Sequence, residues 1–172
     1  DLEGGPAGTP LRLQGRTPGW VPGLAFDPTG GWLAATHKSD AILGLWPLGR
    51  PYPRILFRVK AATSSTSRGF TFAPDGSWIA ATMGGSVLHL WPLTRSGGEP
   101  REVQLATSAS TLAADPAGRY LLAGGRGVQL IPLQGGRPRK LPGFQDWVSA
   151  IAFSPDGRLA AAGGGKSQSI VE

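Results

Sequence analysis

Apolar side chains alternate with small or polar ones over short stretches of this chain, the period-two pattern of strands that bury one face. One set comprises Leu24-Ala25-Phe26, Phe70-Thr71-Phe72, Leu112-Ala113-Ala114 and Ile151-Ala152-Phe153. Each runs into a tight turn and returns as a second strand: Trp32-Leu33-Ala34-Ala35, Trp78-Ile79-Ala80-Ala81, Tyr120-Leu121-Leu122-Ala123 and Leu159-Ala160-Ala161-Ala162. A third strand follows a polar, glycine-rich turn in Leu43-Gly44-Leu45-Trp46, Leu88-His89-Leu90-Trp91 and Val128-Gln129-Leu130-Ile131. The fourth is short and charged, as in Leu11-Arg12-Leu13, Arg54-Ile55-Leu56-Phe57, Glu102-Val103-Gln104-Leu105 and Arg139-Lys140-Leu141. No stretch sustains a helical period, and 27 glycines with 16 prolines would break most helices.

Two markers repeat in step. Phe26-Asp27-Pro28-Thr29-Gly30 returns as Phe72-Ala73-Pro74-Asp75-Gly76, Ala114-Asp115-Pro116-Ala117-Gly118 and Phe153-Ser154-Pro155-Asp156-Gly157. Leu45-Trp46-Pro47-Leu48, Leu90-Trp91-Pro92-Leu93 and Leu130-Ile131-Pro132-Leu133 follow at similar intervals. The period of roughly forty residues marks a stacked repeat in which no unit buries its apolar face alone. The chain divides into units of about 1–46, 47–91, 92–131 and 132–172 within a single segment, 1–172. Four short antiparallel strands per unit, in tandem, predict an all-β fold of β-propeller blades. The Ala and Gly residues of the second strands suit blade-to-blade contacts, and the charged fourth strands suit a solvated rim.

Phe-x-Pro-Asp-Gly-x-x-Leu-Ala followed by Leu-Trp-x-Leu resembles the core of the WD40 repeats, and the resemblance covers essentially the whole chain. It departs from the family where Pro47 and Pro92 replace the aspartate after tryptophan, and no Gly-His dipeptide precedes a first strand. Asp40 matches the family's turn aspartate, whereas Gly85 and Gly125 stand at that place in the next two units. The family's structural network of His, Asp, Ser/Thr and Trp is therefore incomplete, which leaves packing to hold the blades. The Phe-x-Pro-Asp-Gly turn also resembles TolB-like periplasmic propellers, the alternative assignment.

Rings of this family usually have roughly seven or eight blades. Three outcomes stand in order: part of a larger ring, two chains completing eight blades by self-association, or a ring of four. An opening residue of Asp1 rather than methionine suggests a piece of something longer. Leu11–Leu13 would then be an outer strand, with the last unit supplying the inner three, the division by which rings of this family are fastened.

No apolar run approaches the roughly 18 residues that span a bilayer, so no membrane partner is expected. The absence of cysteine excludes disulfides and thiolate metal sites. Arginine far outnumbers lysine and Ala, Gly and Pro abound, a composition read as bacterial. The net charge of +6 is split between two places. Arg50, Arg54, Arg58, Arg95, Arg101, Arg137, Arg139 and Lys140 fall around the outer strands, a solvated rim. Arg16, Lys38, Lys60, Arg68, Arg126 and Lys166 fall in loops before first strands or between second and third strands. The resemblance implies that those loops share the face on which such propellers bind partners. With Asp40 and Asp146 the only opposing charges there, an acidic or phosphorylated protein ligand is expected. Trp20 and Trp147 stand beside the same loops and are candidate anchors. Nucleic acid is disfavoured because no aromatic residues are interleaved for base stacking.

Catalytic motifs do not survive inspection. Gly163-Gly164-Gly165-Lys166-Ser167 is similar to a phosphate-cradling loop, but Ala160 stands at its first glycine and a strand, not a helix, should follow. His37 and His89 have no metal-ligand spacing; His37 should be a solvated turn residue and His89 a partly buried strand residue. The Thr63–Ser67 run reads as a loop. Asp75 and Asp156 should serve their turns rather than acid chemistry, and Trp32, Trp46, Trp78 and Trp91 should pack the blades. The expected function is a non-catalytic protein-interaction scaffold without cofactor or metal, from a larger bacterial signalling protein in the cytoplasm. Its partner would be another protein or a covalently attached domain; the resemblance implies attachment to enzymes such as serine/threonine kinases. The alternative is a TolB-like periplasmic or peptidase-associated propeller whose active residues lie elsewhere.

Overall fold

A computed structural model describes residues 23–37, 42–48, 69–82, 85–94, 98–144, 146–165 and 167–171. These residues form four antiparallel sheets in chain order. The first holds β1 (Gly23–Phe26), β2 (Trp32–His37) and β3 (Ile42–Pro47). The second holds β4 (Phe70–Phe72), β5 (Trp78–Thr82), β6 (Val87–Pro92) and β7 (Arg101–Gln104). The third holds β8 (Ala109–Ala114), β9 (Tyr120–Gly125), β10 (Gly127–Pro132) and β11 (Arg139–Leu141). The fourth holds β12 (Ala150–Phe153), β13 (Ala160–Gly164) and β14 (Ser167–Val171). All neighbours are sequential, so every sheet is an up-and-down meander, as propeller blades are. The described sheets form an open array, not a closed ring. The expected outer strands at Leu11–Leu13 and Arg54–Phe57 lie outside the described residues.

The first-to-second-strand turns are superposable in their chemistry. In each, the glycine N–H bonds the carbonyl three residues back at 2.8 to 3.0 Å. Gly30, Gly76, Gly118 and Gly157 take φ of +68° to +73°, which side-chain-bearing residues rarely adopt. Two devices fasten them. In the first and third sheets the residue before proline is a buried aspartate. Asp27 accepts from the N–H groups of Thr29 and Trp32 and from the Thr29 hydroxyl. Asp115 accepts from the N–H groups of Ala117 and Arg119 and from the Arg119 guanidinium, at 2.7 Å from Nε. In the second and fourth sheets the aspartate after proline acts from the solvent side. Asp75 accepts from the Ser77 N–H and hydroxyl, and Asp156 from the Arg158 N–H and the Ser154 hydroxyl.

The third-strand marker is explained by the end of the ladder. Pro47, Pro92 and Pro132 close their strands opposite Trp32, Trp78 and Tyr120. Having no N–H, each proline leaves the last bond to the next leucine: Leu48, Leu93 and Leu133 donate to the carbonyls of Gly31, Ser77 and Arg119.

The second strands β2, β5 and β9 each contribute to cores on both of their faces. Ile79 and Ala81 join Ala34, Leu43, Leu45, Phe72 and Trp91 in the core between the first two sheets, whereas Ala80 turns to the next. The core between the second and third sheets gathers Ala80, Leu88, Leu90, Leu112, Leu121 and Ile131. Between the third and fourth, Leu122, Val128, Val148 and Ala162 are buried with Ile151 and Phe153 against them. The inner strands sit side by side, β8 against β4 and β5, and β12 against β8 and β9. Trp46 and Trp91 are buried, and Trp32 and Trp78 pack against the cores, as the pattern predicts. The outer strands β7 and β11 are mostly exposed. Arg101 is more than a solvated rim charge, because its guanidinium donates to the Leu133 carbonyl of the next sheet at 2.8 Å.

Packing alone does not hold the blades, contrary to the sequence expectation. The position two residues before tryptophan or its isoleucine substitute has three occupants. Gly44 leaves room for the Trp46 ring. His89, partly buried as expected, stacks on Trp91 with centroids 5.4 Å apart and faces Glu102 across the ladder at 3.4 Å. Gln129, 1% exposed, accepts from the Ala106 N–H and donates to the Thr107 carbonyl and hydroxyl. His37 differs from expectation, ending β2 rather than sitting in a turn.

Candidate functional site

Arg126 occupies the turn between β9 and β10, and the sequence around it leaves little choice of path. Gly125 and Gly127 face each other as the last pair of the ladder. Gly127 takes φ of +88°, and a side chain at Gly125 would run into the Ser108 carbonyl. The turn is so tight that the arginine side chain is left exposed at its tip.

The segment before β12 docks onto this tip. Arg126 and Trp147 form an isolated antiparallel bridge. It is bracketed by bonds from the Val148 N–H to the Gly125 carbonyl at 2.7 Å and from the Gly127 N–H to the Asp146 carbonyl at 3.3 Å. Val148, 4% exposed, anchors the segment in the core beside Leu122 and Val128. With that residue turned inward, Trp147 remains 50% exposed and Asp146 is also at the surface. The Asp146 side chain lies beside Gly165, in the turn between β13 and β14.

A second brace comes from the opposite side. The Thr107 hydroxyl, held by the buried Gln129 amide, donates to the Arg126 carbonyl at 3.4 Å. The Arg126 turn is thereby fixed to the β7–β8 link and to the β11–β12 link. A cation, an indole and a carboxylate stand exposed on a framework whose backbone is bonded on both flanks. Exposed tryptophan and arginine held in defined geometry are the residue types that anchor protein partners.

Of the residues expected at this face, Arg126 and Trp147 are brought together. Arg16, Trp20, Lys38, Asp40, Lys60, Arg68 and Lys166 lie outside the described residues. Thr107 and Gln129, which brace the site, were not singled out by sequence. The signal available for Gln129 was an amide at a place where the other units carry glycine or histidine.

The titratable groups of the turns are poorly disposed to acid chemistry. Hydrogen bonds from Ser77 hold the Asp75 carboxyl below its ordinary value of 3.8, those from Ser154 and the Arg158 N–H do so for Asp156, and Arg119 does so for Asp115. A general acid working near neutrality needs the opposite shift. β13 and β14 pair antiparallel with Gly164 opposite Ser167, so strands flank this motif on both sides and neither supplies a helix N-terminus for a phosphate. Among the described residues no three His, Cys, Asp or Glu side chains gather as a metal site, and no helix is long and apolar enough to cross a membrane.

Comparison with known families adds one finding. Residues 135–170 match the family model described as WD domain, G-beta repeat. This stretch carries a WD40 repeat. It comprises β11 and the strands β12, β13 and β14, so the matched repeat begins with the outer strand of one sheet and continues with the strands of the next. WD40 domains are generally non-catalytic platforms for protein interactions. A search of curated proteins finds no match to the chain.

Proposed function

We propose that this chain is a non-catalytic interaction scaffold, part of a larger bacterial signalling protein acting in the cytoplasm. It holds a protein partner, or a covalently attached domain, at the loop face around Arg126 and Trp147. The supporting observation is the bridge between these residues, which presents a guanidinium and a half-exposed indole on a backbone braced from two sides. Arg126 supplies charge-assisted bonds to a carboxylate or phosphoryl group, and Trp147 supplies apolar contact beside it. An acidic or phosphorylated segment with a neighbouring apolar side chain fits that pair.

The test is binding to arrays of acidic and phosphoserine peptides. Arg126→Glu and Trp147→Ala should each weaken capture by about tenfold or more, the loss of about 1.4 kcal/mol expected of an anchor. Arg139→Glu, on the exposed rim strand β11, is the control. Equal losses from the rim and loop-face substitutions would sink the proposal.

A further inference from the structure

Gly44, His89 and Gln129 hold the same place in the third strands of the first three sheets, opposite Ala35, Ala81 and Ala123. His89 turns to partners within its own sheet, Trp91 and Glu102. Gln129 instead reaches into the β7–β8 link that enters its sheet, with three bonds to two consecutive residues, Ala106 and Thr107. A fully buried amide is an expensive choice for filling this place. An apolar side chain of similar length would fill it too. The link does not need the amide for its own polar groups either, since Ala106 is exposed and Thr107 partly so, within reach of water.

What the amide adds is direction. The Ala106 N–H can only donate and the Thr107 carbonyl can only accept, which fixes Oε1 toward the first and Nε2 toward the second. Nε2 also donates to the Thr107 hydroxyl oxygen at 2.9 Å. The hydroxyl proton is thereby left for the Arg126 carbonyl, the contact seen at 3.4 Å. Leu105 and Ala109, each 3% exposed, hold the two ends of the link in the core between the second and third sheets. Between them Ala106 and Ser108 are exposed, and the amide ties this middle part to β10.

Taking the loop face as the binding site, we propose that Gln129 is its positioning residue: acting through Thr107, it fixes the Arg126 turn and so sets the affinity of the Arg126–Trp147 pair for an acidic segment it never touches. Trp147 bridges the turn on one flank and Thr107 holds it on the other. Loss of the second hold leaves the guanidinium to be ordered when the partner binds, and that cost comes out of the affinity.

Three substitutions in the whole chain test this. Gln129→Met keeps the bulk and removes the bonds, Thr107→Val removes the hydroxyl, and Thr107→Ser retains it. The Gly127 amide, which donates to the Asp146 carbonyl beside the site, should exchange with deuterium about fivefold faster in the first two and at the wild-type rate in the third. The Leu133 amide, bonded to the Arg119 carbonyl at the far end of the same sheet, should keep its wild-type rate in all three. Capture of an acidic phosphoserine peptide should weaken by a similar factor in Gln129→Met and Thr107→Val, no further in the double variant, and recover in Thr107→Ser. Losses that add in the double variant, or Gly127 and Leu133 exchange rising together, overturn the proposal. Wild-type capture by Gln129→Met, with Arg126→Glu still weakening it, overturns the role of Gln129 and leaves the loop face standing. Capture unchanged by Arg126→Glu removes the loop face as the binding site, and the role of Gln129 falls with it.

Discussion

The interface between the second and third sheets and the one between the third and fourth are built from the same repeat in different materials. At the first, Leu121 reaches fully into a core of Leu88, Leu90, Leu112 and Ile131. At the second, the equivalent residue is Ala160, and a gap remains among Leu122, Val128, Leu141, Phe144 and Ile151. The turns show the reverse. Gly118 has open space beside it, with Ala73 at the buried place of the preceding turn, whereas Gly157 lies directly against the Asp115 carboxylate. An aliphatic core secures one junction, and a smaller core with a polar clasp secures the other. The repeat conserves strand geometry and leaves the source of adhesion free to vary.

This contrast is most easily broken at Leu121. Leu121→Ala should cost about 3 kcal/mol in urea unfolding, because it deletes a fully buried side chain and leaves a cavity in dense surroundings. A cost no greater than that of Leu159→Ala, at a 40% exposed position, would remove the distinction between a filled core and a loose one.

Asp115 tests the clasp. Asp115→Ala leaves the N–H groups of Ala117 and Arg119 without their acceptor and should cost about 2 kcal/mol. Acid should reveal the same contribution. Since Arg119 lowers the folded-state value of this carboxyl from 3.8, its stabilisation is present above the unfolded value and is lost as pH falls through the folded one. The gap in unfolding midpoint between wild type and Asp115→Asn should therefore narrow as pH drops below about 4. A gap constant through that range would mean that the charge does not contribute.

The smallest effect is a gain. Ala160→Leu should stabilise the chain by about 1 kcal/mol by filling the gap with the residue the third sheet already uses at that place. A loss of stability would show that the fourth sheet has closed in to exclude a larger side chain.

Most of the strands were legible because alternation and turn chemistry act locally. Trp78–Ala81 and Val128–Ile131 lie within β5 and β10, and the Pro-x-Gly turns take the positive φ their glycines suggest. The length of β8 was not legible, because Ala109 joins the strand only through its pairing with Gly125. The buried turn carboxylates were missed for a related reason. Pro-Asp-Gly is the conspicuous motif, yet the enclosed aspartates are those before proline, and Asp115 is enclosed partly by a turn some forty residues away. At the loop face, a common side for Arg126 and Trp147 could be read from the repeat. Their direct pairing depends on Val148 turning inward, a tertiary event that alternation alone does not specify.

The offset between the matched repeat and the sheets has a practical side. Residues 135–170 begin ahead of β11, which completes the sheet of β8, β9 and β10. A chain divided between Pro132 and Arg139 would leave one fragment lacking an edge strand and the other carrying it as a free tail. The two fragments are thus natural halves for split-protein complementation, each recognising the other through the ladder from Val128 to Leu130.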